Sequence, residues 1–138
     1  LPECQVLMMR MAGDIVPYLL ACARGDVSGL AAPTFKPQTV ICVVMAAKGY
    51  PGDYIKGTRI DGLDDAAKVE GVEIFHAGTV AKDGAILANG GRVLNVCAMA
   101  KTVTEARDRA YQAVDRIKWP EGFCRRDIAW QAVEAEQG

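Results

Sequence analysis

The hydrophobic and polar positions of this chain fall into blocks, and the spacing within each block predicts a distinct element. Two runs, TVICVVMAA at residues 39–47 and RVLNVCAMA at residues 92–100, are apolar and β-branched, so both predict strands, the first of them buried. Side chains alternate between the two faces of a strand. We therefore expect Arg92 to share a face with Leu94, opposite the face that carries Asn95.

Shorter runs separated by turns predict an antiparallel meander. Residues 72–81 are the first strand candidate, and the KDG turn at residues 82–84 supplies the positive-φ residues that hairpins favour. The run AILA at residues 85–88 follows as a second strand. NGG at residues 89–91 then predicts another turn, which leads into the strand at residues 92–100.

Helical spacing marks the beginning of the chain. Residues 2–11 predict one helix, and Asp14 is placed to cap a second helix. Pro17 falls in the first turn of that helix, where its missing N–H costs little, and Gly25 is a natural stop. The two prolines within residues 31–38 predict a connector between this helical part and the first long strand.

The remaining helices are predicted from their start signals. DGLDDAAKVEG, residues 61–71, predicts a short helix or turn capped by Asp61 or Asp64. Residues 102–117 predict the clearest helix, because a threonine and a glutamate with capping-box spacing precede an apolar stripe. A short final helix is expected at residues 125–135. Helices, mostly antiparallel strands and again helices make the predicted class α+β.

Composition and charge narrow the class of protein. Of the 138 residues, 51% are hydrophobic and 24% charged, which is enough apolar material for a core in one or two small folding units. The net charge of −1 argues against a nucleic-acid surface, and no run approaches the roughly 18 apolar residues of a membrane span. We therefore expect neither nucleic acid nor membrane as a partner.

The five cysteines are widely spaced and form no CxxC pair, which predicts free thiols in a reducing compartment, the cytoplasm. Because His76 is the only histidine, a zinc site is not expected. The chain begins without a methionine and without a signal-peptide pattern. We therefore expect it to be a fragment of a longer polypeptide.

The first candidate for chemistry is the stretch Asn89, Gly90, Gly91 and Arg92. Glycines let backbone N–H groups approach an anion closely, and an arginine offers a planar fork of donors that matches phosphate or carboxylate. A plain hairpin turn with a solvated arginine explains the same residues, and it is the commoner outcome for Asn-Gly.

Three other places carry weaker signals, and each has a purely structural alternative. His76 could orient a ligand or donate to an anion, or it could be a half-buried structural histidine. Glu3 could face a ligand, or it could serve only the dipole of its helix. The loop PGDY at residues 51–54 could border a site, although turn chemistry alone accounts for it. The sequence contains no phosphate-binding glycine loop, no catalytic triad and no acidic cluster for magnesium.

Five stretches match a known family in their order and separation. They are PECQVLMM, GYPGDYIKG, FHAGT, NGGRVLNV and RRDI. Together they resemble the C-terminal part of the phosphoribosylamine–glycine ligases, also called glycinamide ribonucleotide synthetases, of the ATP-grasp superfamily. The resemblance covers essentially all 138 residues. It departs from the family at Leu1, where the family has aspartate before the proline and glutamate.

The resemblance implies a fold and a reaction. Residues 1–30 would be the helical C-terminal end of an ATP-grasp domain, and residues 31–138 would be a small antiparallel barrel-sandwich-like C-terminal domain with flanking helices. The family joins glycine to 5-phosphoribosylamine in de novo purine biosynthesis, with cleavage of ATP and with magnesium or manganese. ATP and metal would bind mainly upstream of this chain, so the upstream domains would be its partners and the isolated fragment would be inactive.

The resemblance also implies roles for single residues. By analogy with related ATP-grasp purine enzymes, Arg92 would hold the ribose phosphate, and residues 89–91 would shape its approach. Glu3 would face the glycine amine, and His76 would line the site. No metal ligand and no catalytic residue is assigned to this fragment.

Two rival interpretations remain open. A barrel-sandwich carrier or binding module would need a modified lysine at a hairpin tip, and Lys82 has such a place. The Met-Lys-Met pattern that flanks the lysine in carrier domains is absent here. The second rival is a different ATP-grasp ligase. Turnover by the full-length enzyme with glycine, compared with other acceptors, would distinguish it.

Overall fold

The computed structural model describes residues 2–138, so Leu1 lies outside the described residues. In chain order the elements are α1 (Glu3–Arg10), β1 (Met11–Ala12), α2 (Val16–Arg24), β2 (Thr34–Phe35), β3 (Thr39–Ala47), β4 (Thr58–Ile60), α3 (Leu63–Ala66), β5 (Val72–His76), β6 (Thr79–Lys82), β7 (Ala85–Ala88), β8 (Arg92–Ala100), α4 (Val103–Arg116), β9 (Gly122–Phe123) and α5 (Trp130–Gln137). Helices combined with antiparallel sheets confirm the α+β class.

The largest sheet has the strand order β5-β8-β3-β9, and all its pairings are antiparallel. A second sheet has the order β4-β7-β6, and β1 pairs with β2 in a third. Among the described residues the end strands of each sheet have no further strand partner, so the sheets do not close into a barrel, and the barrel-sandwich-like prediction is confirmed only for its antiparallel sheets and flanking helices. The described chain also contains no ATP-grasp core. The assignment of residues 1–30 to the end of such a core stays a prediction.

The predicted meander is wrong in two respects: its first strand is divided into two strands, and its last strand, although correctly bounded, pairs in a different sheet. Residues 72–81 form two strands, because the chain changes sheets at Gly78: β5 pairs with β8, whereas β6 pairs with β7. A Cβ atom at Gly78 would lie 2.8 Å from the Cα of Gly90, so the two glycines allow these segments to cross. Residues 89–91 therefore link two sheets and do not form a hairpin turn. The turn at residues 82–84 is a hairpin, with positive φ at its last two residues.

Helix α4 supplies the helical side of the core. Its residues Ala110, Ala113 and Val114 belong to the same buried cluster as strand residues Val43 and Val96. α1 contacts β3 and β8 as well, and its side chains share a cavity with the opposite face of β8. The central sheet is therefore covered by α4 on one face and by α1 on the other.

The first two helices follow the prediction except at the cap of α2, because the N-cap residue is Ile15, which forms no side-chain bond, and Asp14 precedes it. α1 ends at Arg10, and α2 begins at Val16, whose backbone N–H donates to the Asp14 carboxylate at 2.9 Å. Pro17 lies in the first turn of α2, and Gly25 ends the helix in the left-handed conformation with φ 76°. No helix in the described part of the chain is long and apolar enough to cross a bilayer.

The short helices α3 and α5 differ from the prediction at their starts. Neither Asp61 nor Asp64 caps α3, because the N-cap position is taken by Gly62, with φ 80° and no side-chain bond. α5 begins at Trp130, five residues later than predicted. The preceding residue, Ala129, has φ 64°, a left-handed conformation that interrupts a helix.

Candidate functional site

A β-bulge at the start of β8 decides where Arg92 points. Met45 of β3 pairs with Leu94, but the next residue, Ala46, pairs with Arg92, so Val93 is an extra residue on the bulged strand. An extra residue shifts the alternation by one position. Arg92 therefore leaves the face of Leu94 and joins the face of Asn95, and the predicted division of faces is wrong at this one residue.

The burial of the neighbouring side chains agrees with the bulge. Val93 and Leu94 are adjacent in sequence, yet both are fully buried and both belong to the main core cluster. In a regular strand one of them would point away from that core. Because of the bulge, two consecutive side chains, Val93 and Leu94, pack into the core, and the Arg92 side chain lies on the opposite face of the strand.

The face that carries Arg92 and Asn95 borders a cavity of about 380 Å³. Its lining residues are Pro2, Gln5, Tyr50, Ala77, Gly91, Arg92 and Asn95. Four separate parts of the chain meet there: the start of α1, the loop after β3, the end of β5 and the start of β8. A cavity of this size is within the range of small-molecule sites.

Arg92 is exposed, and among residues 2–138 its side chain makes no hydrogen bond or ion pair. Its guanidinium therefore remains available to a ligand in the cavity. Arginine stays protonated at physiological pH and presents paired N–H donors that match phosphate or carboxylate oxygens. The arrangement can bind an anion without first breaking an internal ion pair.

The ring of Tyr50 lies directly on the backbone of Gly91. A Cβ atom at Gly91 would come within 2.7 Å of Tyr50 Cε2 and closer still to Cδ2. Glycine at this position is therefore needed for ring contact and not for a turn, since its φ is not positive. Tyr50 also packs against Tyr54, with the ring centroids 6.4 Å apart.

Two thiols continue the same face beyond Asn95. Cys97 is opposite Cys42 in the register of β8 and β3. A hydrogen bond to Cys42 and burial both raise the pKa of the Cys97 thiol above its ordinary range. The same hydrogen bond lowers the pKa of the Cys42 thiol, so Cys97 is the member of the pair that stays protonated.

The predicted site residues are only partly brought together. Arg92 and Gly91 line the cavity, whereas Gly90 lies against Gly78 at the crossing and Asn89 is exposed outside the lining. His76 is exposed one residue before the lining residue Ala77, and its Nδ1 is 2.9 Å from Thr79 Oγ1. Glu3 is an exposed residue in the first turn of α1 and is not among the lining residues.

Sequence reasoning missed Tyr50, Asn95 and Gln5. Asn95 carried a usable signal, because it is the one amide in an otherwise apolar strand run, and buried polar residues are informative. Tyr50 carried none, since its role depends on contact with a segment 41 positions later in the sequence. The sequence of α1 contains no feature that predicts contact between Gln5 and the cavity beside β8.

Residues 2–138 contain no group of three or more His, Cys, Asp or Glu side chains that could hold a metal ion. This part of the chain therefore does not fit magnesium or manganese. Lys82 is exposed at the end of β6 beside the hairpin turn, as the carrier interpretation requires.

Comparison with known proteins decides between these interpretations. A family described as "Phosphoribosylglycinamide synthetase, C domain" matches residues 40–131. The chain belongs to this family. Membership confirms the resemblance seen in the five sequence stretches, and no observation beyond the position of Lys82 favours a carrier module.

Curated relatives of this C-domain family are longer than the chain. A phosphoribosylamine–glycine ligase of Mesorhizobium japonicum is 54% identical over 136 residues, which make up 99% of this chain and 32% of that protein. The chloroplastic phosphoribosylamine–glycine ligase of Arabidopsis thaliana is 49% identical and is covered over 26% of its length. The chain thus spans between a quarter and a third of these relatives.

A solved structure supports the fold of the C domain. The crystal structure of phosphoribosylamine–glycine ligase from Thermotoga maritima superposes with a TM-score of 0.64 at 35% sequence identity. The match covers 80% of this chain and 26% of the Thermotoga chain. The roles of Arg92, residues 89–91, His76 and Glu3 are not tested by these comparisons and stay predictions.

Proposed function

We propose that this chain is the C-terminal region of an enzyme that joins glycine to 5-phosphoribosylamine in de novo purine biosynthesis. ATP and the two substrates would give ADP, phosphate and glycinamide ribonucleotide. Family membership supports this reaction, because the relatives that match nearly the whole chain are phosphoribosylamine–glycine ligases. The chain itself supplies part of the pocket for phosphoribosylamine.

The observation that carries the proposal is the unpaired guanidinium of Arg92 in the cavity. Phosphoribosylamine brings a phosphate to the enzyme, and a dianion needs fixed donors where water is displaced. Arg92 is turned toward the cavity by the bulge at Val93. We infer that it holds this phosphate and that Asn89, Gly90 and Gly91 shape the approach of the ligand.

The chemistry on the substrates requires groups that lie outside this chain. ATP phosphorylates the glycine carboxylate, and the amine of phosphoribosylamine then attacks the acyl phosphate. We propose that ATP and magnesium, or manganese, bind mainly to residues upstream of this chain. Within it, Arg92 orients the nucleophile by its phosphate, which lowers the entropic cost of the attack. Glu3 and His76 stay predictions for the edge of the same pocket.

The upstream part of the polypeptide is the proposed partner of residues 1–30. Neither α1 nor α2 contains a buried residue, which is unusual for helices of a complete domain. Val16, Leu19 and Leu20 of α2 are 60%, 58% and 48% exposed. We propose that this apolar side packs against the ATP-grasp domain, and that residues 31–138 form the C-terminal domain. The five free thiols favour a reducing compartment, the cytoplasm.

The experiment is steady-state kinetics on the full-length enzyme, with Arg92→Ala compared with wild type. We expect the KM for phosphoribosylamine to rise roughly tenfold to a hundredfold, because a charged hydrogen bond contributes about 1.5–3 kcal/mol. The KM for ATP should stay within about twofold of wild type. Arg59→Ala is the matched control, since Arg59 is exposed and, among residues 2–138, its side chain pairs with Asp61 alone.

Three results would contradict the proposed acceptor, the proposed role of Arg92 and the upstream place of the ATP site, respectively. Turnover of another acceptor in place of phosphoribosylamine by the wild-type enzyme would favour a different ligase. An equal rise in all three KM values for Arg92→Ala would indicate general damage to the fold. Formation of glycinamide ribonucleotide by the 138-residue chain alone would contradict the upstream placement of the ATP site.

A further inference from the structure

We propose that Cys42 and Cys97 are a redox-active thiol pair, which a hydroperoxide converts into a disulfide between β3 and β8. Cys42 is the thiol that attacks the peroxide, and Cys97 is the thiol that then closes the disulfide. Both cysteines lie in the central sheet, in the two strands that α1 contacts. The inference concerns a modification site and does not depend on the proposed ligase reaction.

The hydrogen bonds of β8 show in which direction the backbone of Cys97 points. The Met99 N–H donates to the carbonyl of Gly71, just before β5, at 2.8 Å. The Val93 carbonyl accepts from the N–H of Ala77, just after β5, at 3.0 Å. In an antiparallel strand these directions alternate from one residue to the next. Cys97, two positions before Met99, therefore directs its backbone groups toward β5 and away from β3.

Cys42 and Cys97 are consequently a close pair across two strands. They are opposite each other in the register of β3 and β8, at a position where the ladder forms no hydrogen bond between the two residues. The Cα atoms of such a pair lie about 4.5 Å apart, within the roughly 4.4–6.8 Å that a disulfide spans. The two thiols are already hydrogen-bonded to each other. A disulfide can therefore form without separating or shifting the strands.

The two thiols differ in access and in acidity. Cys97 is fully buried, whereas Cys42 is half-buried, so a small oxidant can reach Cys42 first. The hydrogen bond from Cys97 lowers the pKa of Cys42, although burial and the charge of Glu3 both raise it. The same hydrogen bond, together with burial, raises the pKa of Cys97. Because the thiolate is the reactive form of cysteine, Cys42 is the nucleophile of the pair.

The oxidation proceeds in two steps. The Cys42 thiolate attacks an oxygen of the hydroperoxide, so that an S–O bond forms, the O–O bond breaks, and the sulfur gives two electrons to the peroxide. This step yields a sulfenic acid and an alcohol, or water when the oxidant is hydrogen peroxide. The Cys97 sulfur then attacks the Cys42 sulfur, and the S–S bond forms as the S–O bond breaks. The Cys97 proton leaves with the hydroxide as water.

Oxidation of Cys42 also removes the main cause of the high pKa of Cys97. A sulfenic acid is not the anionic acceptor that held the Cys97 proton, so Cys97 becomes easier to deprotonate once its partner has reacted. A dithiol reductant returns both residues to thiols by exchange. In a reducing compartment the disulfide is therefore transient and reports exposure to peroxide.

The test is treatment of the full-length protein with hydrogen peroxide, followed by alkylation, digestion and mass spectrometry. In wild type we expect the peptides of Cys42 and Cys97 to be joined with the loss of two hydrogens, and dithiothreitol should separate them. Cys97→Ser should leave Cys42 as a sulfenic acid that dimedone traps, and Cys97→Ala gives the same readout if the serine variant does not fold. Cys42→Ser should leave Cys97 without a dimedone adduct.

Cys124→Ser is the matched control. Cys124 is half-buried like Cys42, but burial raises its pKa, so its replacement should leave the disulfide as in wild type. Oxidation of the exposed Cys4 and Cys22 while Cys42 and Cys97 stay unlinked would overturn the proposal. Equal linkage of Cys42 to several cysteines, or a dimedone adduct on Cys97 in Cys42→Ser, would overturn it as well. None of these readouts requires turnover, so failure of the ligase reaction is recognised separately.

Discussion

Glu136, in the last helix α5, accepts two hydrogen bonds from Thr104 in the first turn of α4. Its carboxylate accepts from the Thr104 backbone N–H at 2.9 Å and from the Thr104 hydroxyl at 2.7 Å, and also from the N–H of Val103 at 2.7 Å. These bonds lower the pKa of Glu136 below its ordinary value, chiefly through the Thr104 amide. A helix N-terminus leaves its first amides without partners inside the helix, so Glu136, 32 positions after Thr104, satisfies two amides that the Thr102 cap does not reach.

This cap predicts a pH-dependent contribution to stability. Because the folded-state pKa of Glu136 is lowered, its stabilisation is present above the ordinary glutamate pKa, about 4.3, and is lost as pH falls through the lower folded value. Glu136→Gln should therefore lower the unfolding midpoint at pH 7, and the gap to wild type should narrow as the pH falls below the ordinary glutamate pKa. Glu134→Gln, on the same helix, should leave the midpoint unchanged, whereas a gap that stays constant with pH would contradict the charged cap.

The contact of Tyr50 with Gly91 predicts that alanine is not tolerated at Gly91. The added methyl group would overlap the tyrosine ring, and overpacking of this kind costs about 1–3 kcal/mol. Urea unfolding of Gly91→Ala should show this loss, and Tyr50→Ala in the same background should recover part of it. Gly29→Ala is the matched control, since a Cβ there has no neighbour within 4 Å. Equal stability of the Gly91 variant and wild type would mean that the ring can move away freely.

Local signals predicted the long elements of this fold well. β3 and β8 have the bounds of their apolar runs, and α4 begins after Thr102, which accepts from the Glu105 N–H as a capping residue should. Such features depend on a few consecutive residues, so they can be predicted from the sequence alone. The same reasoning correctly placed Gly25 at the end of α2.

Contacts between distant segments were beyond prediction. The break at Gly78 is explained only by its approach to Gly90, and the pairing of β7 with β4 depends on the whole arrangement of the sheets. The bulge at Val93 arises because the core accepts two consecutive side chains, and no local pattern announces it. The sequence therefore identified Arg92 as a candidate but assigned it to the wrong face.

The hydrogen bond between Trp119 and Thr58 predicts a measurable cost for an isosteric change. Trp119 is 5% exposed, and its Nε1–H donates to Thr58 Oγ1 at 2.9 Å. Thr58→Val keeps the shape and removes the acceptor, so the buried N–H loses its partner at about 1–3 kcal/mol. Urea unfolding followed by tryptophan fluorescence checks this value. Thr34→Val removes a weaker, exposed bond to Ala12 and should change stability little, and similar effects of the two variants would argue against a specific role for the buried bond.

Arg92→Lys distinguishes the geometry of the guanidinium from its charge. Lysine keeps the positive charge but replaces the planar fork by a single ammonium group, which cannot bind two phosphate oxygens side by side. If Arg92 binds phosphate through paired donors, the lysine variant should raise the KM for phosphoribosylamine by an amount between wild type and Arg92→Ala, at roughly fivefold to twentyfold. Its KM should also increase more steeply with salt than that of wild type, because a point charge without directed bonds is screened more readily. Full recovery with lysine would show that charge alone suffices, and no recovery would show that the fork is essential. An effect of either variant on the KM for ATP alone would contradict phosphate binding at this residue.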